Sequence, residues 1–323
     1  MMTESMKTAI ARVTEARAKI EAAEGKPMSD GQLVSRFLPV SATVWSRVSS
    51  GSYTGNNDTV AAKLLSAAED MESRVDALGR RAERSASFVA TRLAKATVSA
   101  WMKAKDDSFG CKVVVVLAPT GAGKTAIGQH LANRHGATYV EGKQSWQSSY
   151  KAFCADVAEA AGLPLHGKKY DERTAESQML RSLSGKYGTL VIDEANTLGA
   201  STANAIKLIC NKTNYTLVIL AIPEMWDKFV AASTNEVKQV LNRCQAVLRH
   251  AEVPVVDVEQ FLGKGFAGDR KAACKAIAAA ANEFGAYKAV VRICADLDQV
   301  EGADNQDAEK AIASNKINIA GGK

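Results

Sequence analysis

A glycine-rich segment, residues 118–125, contains the side chains of this chain that are best suited to chemistry. Gly121 and Gly123 allow a backbone curl in which successive N–H groups point inward and bind phosphate oxygens. Lys124 adds a positive charge toward the β- and γ-phosphates, and the Thr125 hydroxyl is suited to hold Mg²⁺. The segment therefore predicts a phosphate-binding loop for a nucleotide, made of Pro119, Thr120, Gly121, Ala122, Gly123, Lys124 and Thr125.

The neighbouring segments are the ones that such a loop requires. Residues 112–117 consist of a lysine, four valines and a leucine, a largely apolar and β-branched run that is typical of a buried parallel strand, and residues 126–134 have a helical pattern. Ala118 occupies the first glycine position of the motif, and alanine tolerates most backbone conformations except a positive φ. The alternative is a glycine-rich turn that only caps a helix, and the preceding strand disfavours it.

A second motif supplies two carboxylates at the end of another apolar strand, residues 188–194. Asp193 is suited to the Mg²⁺ shell, and Glu194 is suited to polarise an attacking water as a general base. Alone, the motif could be a strand that ends in solvated acids. Its position after a phosphate loop favours an ATPase.

The alternation of helices and strands after the loop predicts an α/β fold with a parallel doubly wound sheet. Residues 215–222 form a further strand, and from Val258 onward the pattern is wholly helical, which predicts a small lid over the nucleotide. We expect four parts: a DNA-binding domain at 1–80, a basic linker at 81–110, an ATPase domain at 111–256 and a C-terminal helical lid at 257–323.

Two short helices around a tight turn, residues 29–38 and 42–49, predict a helix-turn-helix near the start of the chain. Its core would contain Leu33, Val34, Phe37, Val44 and Val48. The residues that would face a DNA major groove are Ser41, Thr43, Ser46 and Arg47. A small helical bundle used for protein contacts remains the alternative.

Basic residues exceed acidic ones between Arg74 and Lys105, and the whole chain has a formal net charge of +6. A charge run is often a solvated helix face. Between a DNA-binding candidate and an ATPase it could also contact phosphates, and Arg80, Arg81 and Arg84 are the candidates for that contact.

Composition excludes several other classes of protein. No uninterrupted apolar stretch reaches the roughly 20 residues that span a bilayer, so we expect no membrane partner and a cytoplasmic protein. The six cysteines form no C-x-x-C pair and the four histidines have no ligand spacing, which disfavours disulfides and zinc.

Taken together, these motifs resemble the phage Mu B family of AAA+ transposition ATPases and, more distantly, the IstB, TniB and TnsC ATPases. The resemblance covers the helix-turn-helix with its loop at 53–60, the segment 88–91 with Trp101, the phosphate loop, residues 190–195 and the lid. It implies ATP and Mg²⁺ as cofactors, duplex DNA and a transposase as partners, and a homo-oligomer in the form of a filament or ring.

The resemblance also assigns residues. Arg243 matches the arginine that reaches the ATP of the neighbouring subunit, with Arg249 as the second choice. Lys288 stands where the lid of the family places an arginine near the phosphates, and Arg292 could substitute for it. The strand before Ile222 commonly ends in a polar residue that senses the γ-phosphate, so this function is in doubt here.

Two other functions remain open from the sequence. One is a transcription regulator that is switched by ATP and reads a specific operator through its helix-turn-helix. The other is an ATPase of the helicase-loader type.

Overall fold

A computed structural model describes residues 3–24, 27–86, 88–107, 110–163, 170–185, 187–232 and 234–320. The chain divides into two compact units, Met1–Ser87 and Phe88–Lys323. The two units are described separately below.

The first unit is all helical. Its elements are α1 (Glu4–Glu24), α2 (Asp30–Arg36), α3 (Ala42–Ser49) and α4 (Asn57–Ala86). Ser29 and Gln32 form a capping box that begins α2, and the Ser41 hydroxyl accepts from the Val44 N–H to begin α3. These caps explain why two helices of only seven and eight residues form with a short turn between them.

The hydrophobic core of this unit is formed by one face of each helix. Leu33 and Val48 are fully buried, as predicted, whereas Val34, Phe37 and Val44 are only partly buried against the core. Trp45, which the sequence prediction did not include, is buried in their place. Trp45 and Val48 are three residues apart and therefore share one face of α3.

The second unit alternates helices and strands. In chain order its elements are α5 (Arg92–Asp106), β1 (Val113–Leu117), α6 (Lys124–His135), β2 (Thr138–Glu141), α7 (Tyr150–Ala160), α8 (Glu172–Leu183), β3 (Tyr187–Asp193), α9 (Ala200–Lys212), β4 (Asn214–Ala221), α10 (Pro223–Ala231), α11 (Asn235–Leu241), β5 (Cys244–Arg249), α12 (Val255–Val258), α13 (Arg270–Phe284), α14 (Ala286–Asp298) and α15 (Asn305–Ala320). Two short 3-10 turns lie at Gln144–Gln147 and Ala195–Thr197.

The five strands form one parallel sheet in the order β2-β3-β4-β1-β5. Alternate residues of β1 belong to different cores. Val113, Val115 and Leu117 pack with α7 to α11 on one face, and Val114 and Val116 pack with α5, α6 and the C-terminal helices on the other. Both faces are covered, which explains why the strands are apolar without alternation.

The helix after β1 therefore lies on the opposite face from the helices after β2, β3 and β4. Right-handed crossovers require this, because the chain leaves β1 toward one edge and later returns in the other direction. Such a reversal opens a crevice at the carboxyl ends of the strands, where α/β folds bind their ligands. The loop after β1 lies at that crevice.

The segment that the sequence analysis treated as a basic linker, 81–110, is mostly helical. α4 continues to Ala86, and α5 packs on the sheet through Leu93, Ala94, Thr97, Ala100, Trp101 and Ala104. These small and apolar residues recur at helical spacing between the basic ones. The prediction followed the charge and overlooked that stripe.

Trp101 ties α5 to the sheet, since its Nε1 donates to the Thr189 hydroxyl at 2.8 Å in a buried setting. Thr189→Val preserves shape but leaves the indole N–H without an acceptor, so it should cost about 1–3 kcal/mol of unfolding free energy. Urea unfolding measures the loss, and Thr189→Ser is the control because it retains the hydroxyl. Equal stability of the valine variant and the wild type would contradict α5 as part of this unit.

Candidate nucleotide site

The loop between β1 and α6 has the backbone conformation that the motif demands. Gly121 and Gly123 have φ of 82° and 81°, in the left-handed region that favours glycine. Among the described residues, the only non-glycine residues with a positive φ are Glu194 and Ala286. Ala118 is therefore outside that region, and alanine fits at the first glycine position.

Gly121 is required for a second reason. A Cβ built on it would lie 2.7 Å from the backbone oxygen of Gly285, which immediately precedes α14. The Lys288 N–H in the first turn of α14 donates to the Gly121 oxygen at 3.1 Å. The structure thus brings the backbone of Lys288 against the loop and leaves its side chain exposed, while Arg292, one turn later, is also exposed.

Lys124 is the charged centre of the loop and is only 6% exposed. Its ammonium donates to the oxygens of Ala118 at 2.7 Å and Pro119 at 2.9 Å. Burial lowers the pKa of Lys124, and the carboxylates of Glu194, Asp193 and Glu224 act in the opposite direction. An ammonium has three donors, so two carbonyl bonds leave one for a phosphate oxygen.

The two predicted acids, one at the end of β3 and one directly after it, have different environments. Asp193 is 1% exposed, and its carboxylate accepts from the Tyr139 hydroxyl at 2.6 Å and the Glu194 N–H at 2.8 Å. Tyr139 lies on β2, and the sequence analysis did not identify it because its contact spans 54 positions. These two hydrogen bonds fix the orientation of the carboxylate, and each oxygen keeps a further lone pair with which it could bind a metal.

Glu194 is exposed and has a left-handed backbone, with φ 47° and ψ 41°. Its Oε2 accepts from the Asn196 amide at 2.6 Å, and the Asn196 Oδ1 accepts in turn from the Ile222 N–H at 2.9 Å. Ile222 follows β4 directly and offers only its backbone at this point. Asn196 is a residue of this site that the sequence analysis missed.

The donor set fits Mg²⁺ bound together with phosphates. No group of three or more His, Cys, Asp or Glu side chains that could hold a metal occurs among the described residues. Mg²⁺ keeps most of its waters and is held by one or two protein oxygens plus phosphate oxygens. Thr125, exposed at the start of α6, and Asp193 are the residues that would hold it.

The two candidate arginines lie at opposite ends of β5: Arg243 comes just before the strand, and Arg249 is its last residue. The Arg243 oxygen accepts from the Val113 N–H at the beginning of β1. Arg249 pairs in register with Leu117 at the end of β1. The backbone of Arg243 is therefore separated from the phosphate loop by the five residues of β1, which is roughly 17 Å at about 3.3 Å per residue. Arg243 is therefore too far to reach the loop of its own chain.

Both arginines also have partners within the chain. The Arg243 guanidinium donates to Asn211 Oδ1 at 2.7 Å and to the Gln239 oxygen at 2.6 Å. The Arg249 guanidinium forms an exposed ion pair with Asp227 at 2.5 Å. Arg249 lies at the same end of the strands as the loop, and the ion pair with Asp227 explains its charge without a role at the nucleotide.

The candidate DNA-contacting residues of the first unit lie on its surface. Ser41, Thr43, Ser46 and Arg47 are all exposed, and the Ser41 hydroxyl caps α3. The side chains of Arg80, Arg81 and Arg84 lie outside the described part of α4, so these residues remain predictions. Within the described residues, no helix is both long and apolar enough to cross a membrane.

Comparison with known families identifies the central domain. Residues 106–229 match the family model described as AAA domain. Together with the parallel strand order and the glycine loop after β1, this match decides the fold. The second unit has the P-loop AAA+ fold. No protein among curated sequences matches the chain.

Several solved structures are similar at low identity. The Orc1 protein of Aeropyrum pernix in complex with DNA is 15% identical, with 68% of this chain and 65% of that chain covered and a TM-score of 0.45. The RuvB Holliday junction branch migration motor of Thermotoga maritima is 14% identical, with 69% and 68% covered and a TM-score of 0.43.

The Cdc6p structure of Pyrobaculum aerophilum is 13% identical, with 64% of this chain covered and a TM-score of 0.44. This chain spans 57% of the length of that structure. The fold assignment rests on the strand order, the loop and the family match.

Two substitutions separate binding from hydrolysis at this site. Lys124→Ala should abolish nucleotide binding, because the loop loses the only cation at its centre. Glu194→Gln should retain binding and slow hydrolysis by roughly 10²-fold or more, as expected for the loss of a general base. Filter binding and phosphate release measure the two effects, and equal hydrolysis rates in wild type and Glu194→Gln would exclude Glu194 as the base.

Proposed function

We propose that this chain is an ATP-hydrolysing protein that assembles on duplex DNA and recruits and activates a transposase there. The observation that carries the assembly part of the proposal is that Lys124 and Arg243 lie at opposite ends of β1. If both act on one ATP, they must come from different subunits. Hydrolysis then depends on assembly.

The residues of the site divide the work of hydrolysis. The loop N–H groups and Lys124 hold the phosphates, and the Glu194 carboxylate accepts a proton from the attacking water. Mg²⁺, held by Thr125 and Asp193, would neutralise charge on the β- and γ-phosphates. Arg243 of the neighbouring subunit would stabilise the negative charge that spreads over the transferred group.

A subunit that has a phosphate loop at one end of its strands and an arginine at the other end makes a head-to-tail contact with its neighbour. Contacts of this type close into a ring if the rotation permits and otherwise continue as a helical filament. The resemblance to the phage Mu B family favours a filament that forms with ATP and disassembles on hydrolysis.

The first unit supports the DNA side of the proposal. Its α3 exposes Thr43, Ser46 and Arg47 after a short turn from α2, as a recognition helix would. One exposed arginine among small hydroxyls suits phosphate contacts better than a specific base code. We therefore propose largely sequence-independent binding, with the transposase as the protein partner that the resemblance implies.

A transcription regulator is the second candidate, since the same α2 and α3 pair could read an operator. The two functions differ in their DNA competition. Filament formation predicts similar affinity for unrelated duplexes and a steep fall of affinity with salt. One tight site that bulk DNA hardly competes for would favour the regulator.

A mixing experiment tests whether the site is shared between subunits. Lys124→Ala and Arg243→Ala should each be inactive alone, because every interface then lacks one half. Mixed in equal amounts with duplex DNA and ATP, they should regain part of the wild-type ATPase rate, since some interfaces pair an intact loop with an intact arginine. Arg249→Ala is the matched control and should hydrolyse ATP at the wild-type rate.

Two outcomes would contradict the proposal. In one, the mixture stays as inactive as the separate variants. In the other, wild type hydrolyses ATP at a rate per subunit that is independent of protein concentration and DNA. Electron microscopy of the same samples should show filaments or rings with ATP and their loss with ADP.

A further inference from the structure

Asn196 joins two strand ends that the sequence keeps apart. Its Nδ2 donates to Glu194 Oε2 at 2.6 Å, and its Oδ1 accepts from the Ile222 N–H at 2.9 Å. Glu194 follows β3, and Ile222 follows β4. One half-buried amide therefore uses its donor on a carboxylate and its acceptor on the backbone of the next strand.

The turn that carries Asn196 is fixed by its neighbours. Ala195 and Leu198, on either side, are 5% and 9% exposed and belong to the core under the sheet. The Leu198 N–H closes the 3-10 turn on the Ala195 oxygen. The backbone of Asn196 is thus held in place by its packed neighbours and by this hydrogen bond.

Glu194 needs such a support more than Asp193 does. Its carboxylate is exposed, and an exposed glutamate side chain samples several rotamers. A donor on Oε2 fixes the plane of the carboxylate and leaves Oε1 to accept a proton. A general base is effective only when it is held within hydrogen-bond reach of the water.

The same contact also supplies a polar group to the end of β4. Ile222 contributes no polar side chain there, and the Asn196 amide brings one to this strand end from the neighbouring turn. The orientation of Glu194 is thereby tied to the position of the end of β4.

We propose that Asn196 is a positioning residue that orients Glu194 for hydrolysis and anchors it to the end of β4. The inference rests on the proposed ATPase function and adds to it a residue that supplies the polar group missing at Ile222. Asn196 acts through Glu194 and does not itself exchange a proton with the water.

Asn196→Asp removes the donor but also adds a negative charge beside Glu194, and Asn196→Ala removes the donor without adding a charge. The aspartate can still accept from the Ile222 N–H, but it has no N–H to hold Glu194. We expect kcat to fall roughly 10-fold or more, because a misplaced base is a poor base, while KM changes less than about twofold. Asn196→Ala should also reduce kcat. Asn214→Asp, the same change at the exposed beginning of β4, is the matched control and should leave kcat unchanged.

A double-mutant cycle with Glu194→Gln distinguishes positioning from a structural role. If Asn196 acts through the Glu194 carboxylate, Asn196→Asp should change the residual rate of Glu194→Gln by less than about twofold, since coupled residues are not additive. ATP binding by each variant, measured with a fluorescent nucleotide, should stay within about twofold of wild type, as expected for an intact loop.

Several results would overturn this inference while the proposed function stands. They are an active wild type with an unchanged Asn196→Asp variant, an equal loss in both backgrounds, a rise in kcat, or a rise in KM with constant kcat. A wild type that hydrolyses no ATP in the presence of duplex DNA would overturn the proposed function and the inference together.

Discussion

The arrangement of this molecule depends on a lysine ammonium that is buried at the end of β1. Burial of a charge is costly unless the charge is paired and hydrogen-bonded. Here two loop carbonyls hold the Lys124 ammonium; burial lowers its pKa, and three nearby carboxylates partly offset that lowering. Two left-handed glycines shape the loop that makes this possible. A phosphate is the ligand whose charge and oxygen atoms complete such a site.

The sheet order determines what else can reach this point. β1 lies inside the sheet. The carboxyl ends of β3 and β4 therefore place Asp193, Glu194 and the backbone of Ile222 on the same side of the sheet as the loop. The C-terminal helix α14 contacts the same loop through the Lys288 N–H. Arg243 precedes β5 and lies at the other end of the strands. Under the proposed function, each subunit would supply the phosphate loop and acids of one ATPase site, and its Arg243 would act at the site of a neighbour.

The sequence predicted where the local parts of the candidate site lie in the fold, and the roles of these residues stay predictions. The loop and the acids of β3 are contiguous motifs, and the phosphate loop required only the strand before it and the helix after it. Tyr139 and Asn196 could not be found this way, because their roles depend on which strands are neighbours in the sheet. α5 was missed for a different reason: its basic residues concealed an apolar stripe around Trp101 that packs on the sheet. Trp45 was missed because short helices leave the core-facing register ambiguous.

The most direct test of this account is the affinity of the wild-type protein for ATP, ADP and AMP by isothermal titration calorimetry with Mg²⁺. A loop that binds β- and γ-phosphates should bind ATP and ADP, and AMP should bind at least roughly 100-fold more weakly, because it lacks the phosphates that Lys124 would contact. Equal affinity for AMP would place recognition in the nucleoside and contradict the assignment of residues 118–125 as the phosphate site.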